Sequence, residues 1–186
     1  MRIISGQARG TKLFTLEGDN TRPTLDRVKE SLFSILMPRL EDAEVLDLFA
    51  GSGALGLEAL SRGALNCTFC DNSGKAIGII NQNVEKTKFT NNAIVIQKDY
   101  ERVLKILKEE NKQFDIIFLD PPYNTNYDIK AIEKILEYNL LKQNGDIIVE
   151  TNKEEKINML KNIDNINISD LRKYGGVTLM FLNRKG

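Results

Sequence analysis

A chain of 186 residues is long enough for one domain with a substantial core and short of two ordinary ones, and its 41% hydrophobic content is normal for a soluble globular protein. The longest apolar runs fall far short of the ~20 residues of a transmembrane helix, and "MRIISGQARG" has no apolar stretch followed by a cleavage site, so membrane and secretory classes are set aside and a cytoplasmic location is expected. Lys+Arg and Asp+Glu balance at 26 each, but residues 1–40 hold seven basic against four acidic side chains and the remainder 19 against 22, which puts a modest basic excess where a polyanion could bind.

In chain order, "RIISGQARGTKLFTL" has two short apolar stretches about "GQARG", the pattern of a hairpin. "RPTLDRVKESLFSIL" reads as a helix with Thr24 as N-cap, Val28, Leu32, Ile35 and Leu36 as its buried stripe, and Pro38 at its end. Residues 1–40 are thus expected to form a hairpin-plus-helix extension, and Arg2, Arg9, Lys12, Arg22 and Arg27 are its candidate contacts to a polyanion.

Residues 41–186 alternate strand and helix patterns. "AEVLDLFAG" reads as a strand, "ALGLEALSRG" as a helix stopped by Gly63, "LNCTFCD" as a strand, "SGKAIGIINQNVEKTKF" as a helix and "NAIVIQKD" as a strand. "ERVLKILKEENK" follows as a helix and "FDIIFLD" as a near-continuous apolar run, the sign of a strand buried on both faces. "IKAIEKILEYNLL" is helical and "GDIIVET" a strand; "IDNINISDLRKYGGVTLMFLNRKG" then gives two strands joined through Gly175–Gly176 without a helix between them, hence an antiparallel hairpin at the sheet edge. The expected fold is α/β: a doubly wound, seven-stranded, mostly parallel sheet in the order 3-2-1-4-5-7-6, Rossmann-like. Cys67 and Cys70, three apart on one strand, point to opposite faces; with no histidine and no third cysteine in the chain they read as buried free thiols, and no metal site is expected.

Gly51, Gly53 and Gly56 stand in G-x-G-x-x-G spacing between a strand and a helix, and Asp71 lies 20 residues past Gly51 at the next strand end, placed to accept hydrogen bonds from ribose hydroxyls. That fingerprint alone does not separate a nicotinamide dinucleotide from another adenosine-bearing cofactor. Asp47, four residues before the first glycine, tips the choice: a carboxylate there repels a pyrophosphate and accepts hydrogen bonds from an ammonium group, which S-adenosylmethionine carries. Asp99, ending the third strand, is placed to accept from the adenine amino group. Phe49, Ser52, Asn72 and Tyr100, which flank these residues in the chain, complete the candidate cofactor site.

The fourth strand ends in "DPPY". An exocyclic amino group on a base is a poor nucleophile because its lone pair is delocalised into the ring; two acceptors that hold its two hydrogens orient the lone pair toward the methyl carbon. Asp120 supplies one acceptor, the carbonyl of Pro121 the second, and Tyr123 a ring to stack on the base. "DLFAGSG" followed by "DPPY" resembles the class I S-adenosylmethionine-dependent amino-methyltransferases. With "RIISGQARG" and "TRPTLDRVKESLF" upstream, the whole chain resembles the RsmD-type family, which methylates guanine N2 in bacterial small-subunit ribosomal RNA. The resemblance implies an rRNA (guanine-N2)-methyltransferase, a monomer, with Asp47, Gly51, Gly53 and Asp71 at the cofactor, Asp120 to Tyr123 in the catalytic loop, and ribosomal RNA as partner; the neutral overall charge favours an assembling small subunit over free RNA. The alternatives are a DNA or other RNA amino-methyltransferase acting on adenine N6, and a non-catalytic RNA-binding relic of the fold.

Overall fold

Five strands run parallel because a helix returns the chain between each pair. β1 (Glu44–Asp47), β2 (Asn66–Asp71), β3 (Ala93–Gln97), β4 (Phe114–Leu119) and β5 (Leu141–Thr151) alternate with α2 (Ala54–Ser61), α3 (Gly74–Thr87), α4 (Tyr100–Glu109) and α5 (Tyr127–Glu137). In this computed structural model, which describes residues 1–16, 23–122 and 125–186 with the side chains of 23–25 excepted, β6 (Ile166–Tyr174) and β7 (Val177–Arg184) form an antiparallel hairpin whose β7 pairs with β5. The sheet order is β3-β2-β1-β4-β5-β7-β6, as the sequence pattern predicts. The C-terminal ends of β3, β2, β1, β4 and β5 therefore lie side by side along one edge.

Three elements depart from the expectation. β5 begins at Leu141 rather than at Gly145. A further helix, α6 (Glu154–Lys161), crosses between β5 and β6. Helix α1 (Pro23–Leu36) begins one residue before Thr24, so Thr24 lies inside the first turn instead of ahead of it; Val28, Leu32 and Leu36 are buried as expected, and Phe33 joins them. Among the described residues no helix is long and apolar enough to cross a membrane.

Where a hairpin is expected, the N-terminal residues make a single isolated antiparallel bridge, Arg2 opposite Lys12, with Ile3 N–H donating to the Thr11 carbonyl at 2.9 Å. Ile3, Leu13, Val28, Leu32 and Phe33 sit in one buried cluster with Val45, Leu57, Phe69 and Phe118, so the extension and the sheet share a core. The opposite face of the sheet carries a second cluster with Leu46, Ile117 and Ile147. Cys67 falls in the first cluster and Cys70 in the second; both are free and buried, and burial pushes both thiols up.

Candidate active site

The turn between β1 and α2 shapes the site. Gly51 (φ 56°) and Gly53 (φ 78°) adopt left-handed conformations that only glycine enters cheaply, and Gly53 caps α2. A Cβ on Gly51 would point into open space, whereas one on Gly56 would stand 2.3 Å from the Phe69 ring and 2.5 Å from Cys67 Sγ. The first glycine thus leaves room for a ligand and the third lets the helix lie on the sheet.

Asp71 holds this turn: its carboxylate accepts from Gly51 N–H and from Ser73 N–H, both at 2.9 Å. Asp47 is 3% exposed and accepts from Gly56 N–H at 3.1 Å. Burial pushes the Asp47 carboxyl up to about 7; the Gly56 N–H works against that shift, and the charge of Asp71 adds to it. Such an acid ionises at neutral pH only with help, and a cation beside it is the natural help. Asn83 of α3, wholly buried, donates to the Ser52 carbonyl and to the Phe14 carbonyl, each at 2.9 Å, and joins the glycine turn to the N-terminal segment.

These residues open onto one cavity of about 820 Å³. Asp47, Phe49, Gly51, Ser52, Asp71, Asn72, Asp99 and Tyr100 line it together with Asp120 and Pro121, so both candidate sets share one space. Gly53 does not line it; its part is the turn. Asp99 reaches the cavity, yet its carboxylate also caps α4, accepting from Arg102 N–H at 3.0 Å, with the Arg102 guanidinium at 3.4 Å. Any adenine amino group would share that carboxylate with the cap. Phe49, Tyr100 and Tyr127 form an aromatic wall with centroids 5.1 to 6.4 Å apart. Burial and the neighbouring Glu101 carboxylate push the Tyr100 hydroxyl up to about 12.

Asp120 follows β4 and is exposed, while Pro121 beside it is buried. Tyr123 and Arg22 lie outside the described residues. Arg2, Arg9, Lys12 and Arg27 are exposed, and none lines the cavity; Arg2 pairs with Asp26 at 3.7 Å. Met1, Leu16, Val28, Lys29 and Leu32 of the extension do line it.

Several contributing residues carried no mark in the sequence reading. Glu58 of α2, at 0% exposure, accepts from Ile4 N–H at 2.9 Å, Ser5 N–H at 3.0 Å and Arg62 Nε at 2.8 Å, with Lys29 Nζ at 3.2 Å. Lys29 also donates to the Arg2 carbonyl at 2.6 Å, and burial lowers its ammonium while Glu58 opposes that shift. Tyr127, at the first position of α5, and Glu150, on β5, line the cavity as well. Most of their neighbours in the fold are distant in sequence, so no local pattern could have singled them out.

A doubly wound sheet with a glycine turn and a row of acids at its strand ends has the Rossmann-like architecture of class I methyltransferases. The solved yhhF protein of Escherichia coli superposes with TM-score 0.84 at 31% identity, covering 100% of this chain and 98% of that one. The model of the family "Conserved hypothetical protein 95" matches residues 1–183, and the chain belongs to that family. Ribosomal RNA small subunit methyltransferase D of Haemophilus influenzae is 43% identical over 160 residues, 84% of this chain and 81% of the relative. The protein of the same name from Escherichia coli K12 is 39% identical over 145 residues, 78% and 68% of the two chains.

Proposed function

We propose that this chain transfers a methyl group from S-adenosylmethionine to the exocyclic N2 amino group of a guanine in 16S ribosomal RNA. The observation that carries the reading is the shared cavity: the glycine turn and its acids meet Asp120 and Pro121 in one space. The relatives named as small-subunit rRNA methyltransferases supply the substrate class.

The donor set fits this cofactor. Asp47 offers a buried carboxylate in want of a cation, and Gly51 leaves the cavity floor free of side chain. Asp71 and Asn72 are assigned to the ribose hydroxyls, and Phe49 and Tyr100, which line the same cavity, to the purine ring. When bound, S-adenosylmethionine supplies an electrophilic methyl group. Asp120 accepts one hydrogen of the target amino group and the Pro121 carbonyl the other, which aims the nitrogen lone pair and spares the transition state the cost of reorienting it. Tyr123 is assigned to stacking on the base. Arg9, Lys12 and Arg27, with Arg2 and Arg22, are assigned to phosphates of the RNA, and residues 1–40 act as the substrate-binding extension of the methyltransferase domain, residues 41–186. The neutral chain, acting as a monomer in the cytoplasm, takes an assembling small subunit as its substrate.

Mass spectrometry of digested 16S rRNA from a strain lacking the gene, with and without complementation, tests the reading. One N2-methylguanosine should disappear on deletion and return with the wild-type gene. An unchanged modification pattern would overturn it.

A further inference from the structure

Glu150 is the next acid along the strand ends after Asp120. In the parallel register of β4 with β5, Leu119 stands opposite Val149, so Asp120 and Glu150 are the following residues on neighbouring strands. Neighbouring strands lie ~4.8 Å apart. Both side chains line the same cavity. The cofactor acids lie on the other side of β4, beginning with Asp47 on β1, while Glu150 lies on the far side, with Leu179 of β7 opposite it in the antiparallel register. Asp120 is thus flanked by Glu150 on the β5 side, while Asp47 on the β1 side stands level with Phe118, two residues back.

Among the described residues the Glu150 carboxylate has no hydrogen-bond or ion-pair partner, although burial pushes its carboxyl up. A partly buried carboxylate without a donor is costly, and an N–H donor restores what water no longer supplies. Guanine brings such a donor to this place. Its N1–H is adjacent to its N2 amino group on the same ring edge, whereas adenine and 2-aminopurine present a bare N1 lone pair there. With the N2 amino group held at Asp120 and Pro121, one of its two ring neighbours, N1 or N3, turns toward β5, and of these only N1–H gives the Glu150 carboxylate a donor.

We infer that Glu150 is a specificity-determining residue whose carboxylate accepts the guanine N1–H while Asp120 and Pro121 hold the N2 amino group. This inference rests on the guanine-N2 reading above. Against a base with an unprotonated N1, the same carboxylate sets lone pair against lone pair and rejects it. Adenine is then excluded twice, by its missing 2-amino group and by its N1.

The test uses small subunits reconstituted with 16S rRNA that carries either guanine or 2-aminopurine at the nucleotide the wild-type protein methylates. 2-Aminopurine keeps the 2-amino group and lacks N1–H. Single-turnover rates are measured for the wild type, Glu150→Gln and Glu150→Asp, with S-adenosylmethionine affinity measured by calorimetry for each. The wild type should favour guanine over 2-aminopurine by ~10-fold or more, the size of losing a hydrogen bond to a charged group. Glu150→Gln should narrow that ratio, because its amide can donate to the bare N1 as well as accept from N1–H. Glu150→Asp keeps the charge one methylene further back and should be slower on guanine while still preferring it. All three should bind the cofactor alike, which also shows that they are folded. The inference is overturned if Glu150→Gln keeps the wild-type ratio, or if it loses cofactor affinity and so belongs to the cofactor's side. A wild type that methylates no guanine in 16S rRNA fails the reading beneath it instead, before any variant is compared.

Discussion

Asp47 is a buried acid that titrates near neutrality. Its folded value of about 7 lies above the ordinary carboxylate value, so the ligand-free fold binds a proton more tightly than the unfolded chain does. That contribution to stability is present at the acidic end and is lost as pH rises from about 4 through 7. A cationic ligand reverses the preference and favours the ionised form. Cofactor affinity should therefore rise between pH 6 and 8 more steeply in the wild type than in Asp47→Asn, and at pH 8 the variant should bind at least tenfold more weakly, about 1.4 kcal/mol. Calorimetry across that range checks both points; equal affinity and equal slope would remove Asp47 from the cofactor site. Asp120 is assigned to the base rather than the cofactor, and its variants separate two roles. Asp120→Ala should bind cofactor normally and react ~10²-fold more slowly or worse, the scale of losing one preorganised contact in a transition state. Asp120→Asn should be milder, since its amide oxygen still accepts a hydrogen bond, and equal inactivity of the two in single-turnover methylation would show that charge or basicity is needed.

At the scale of elements, α2 is the anchor for the N-terminal hairpin. Glu58 gathers two backbone N–H groups of the N-terminal segment, Lys29 of α1 and Arg62 just past the end of its own helix into one buried network. Removing its charge leaves a buried Lys29 ammonium without its carboxylate, and breaking such a pair costs about 3–5 kcal/mol. Glu58→Gln should accordingly lower the melting temperature by ~10 °C or more in a chain of this size, and a change of a degree or two in thermal denaturation would show that the network is dispensable. This anchor was hidden in the sequence for a physical reason: Glu58 sits in the apolar helix "ALGLEALSRG", and Ile4 and Ser5, whose N–H groups it accepts, lie 54 and 53 residues away. Glu150 and Asn83 were hidden likewise, because their surroundings come from other strands and helices. The strand-helix alternation, the sheet order, the glycine turn and the acid-proline loop were all legible, since each is a local pattern of periodicity or spacing. Helix α6 was not: it is only eight residues long and buries just Ile157 and Leu160, too few to set a period. The first part of β5, "LKQN", was missed because two of its residues are exposed and polar.

For the whole molecule, the charge sums to zero, with a basic excess in residues 1–40 that is assigned above to RNA. The extension lines part of the cavity with apolar residues and Lys29, while Arg9, Lys12 and Arg27 are exposed. Reversing those three charges together, Arg9→Glu, Lys12→Glu and Arg27→Glu, should leave cofactor affinity intact, lower the affinity for small subunits and reduce its salt dependence, because phosphate contacts release counterions. Binding measured between 50 and 200 mM salt checks this, and an unchanged salt slope would assign those cations to mere solvation. The central claim, methylation of a guanine amino group by the Asp120–Pro121 loop beside the cofactor acids, is tested most directly by one experiment. Purified protein is incubated with methyl-labelled S-adenosylmethionine and small subunits from a strain lacking the gene, and the 16S rRNA is digested to nucleosides. The account predicts label in N2-methylguanosine with the wild type and almost none with Asp120→Ala; label in N6-methyladenosine, or equal labelling by the two proteins, would contradict it.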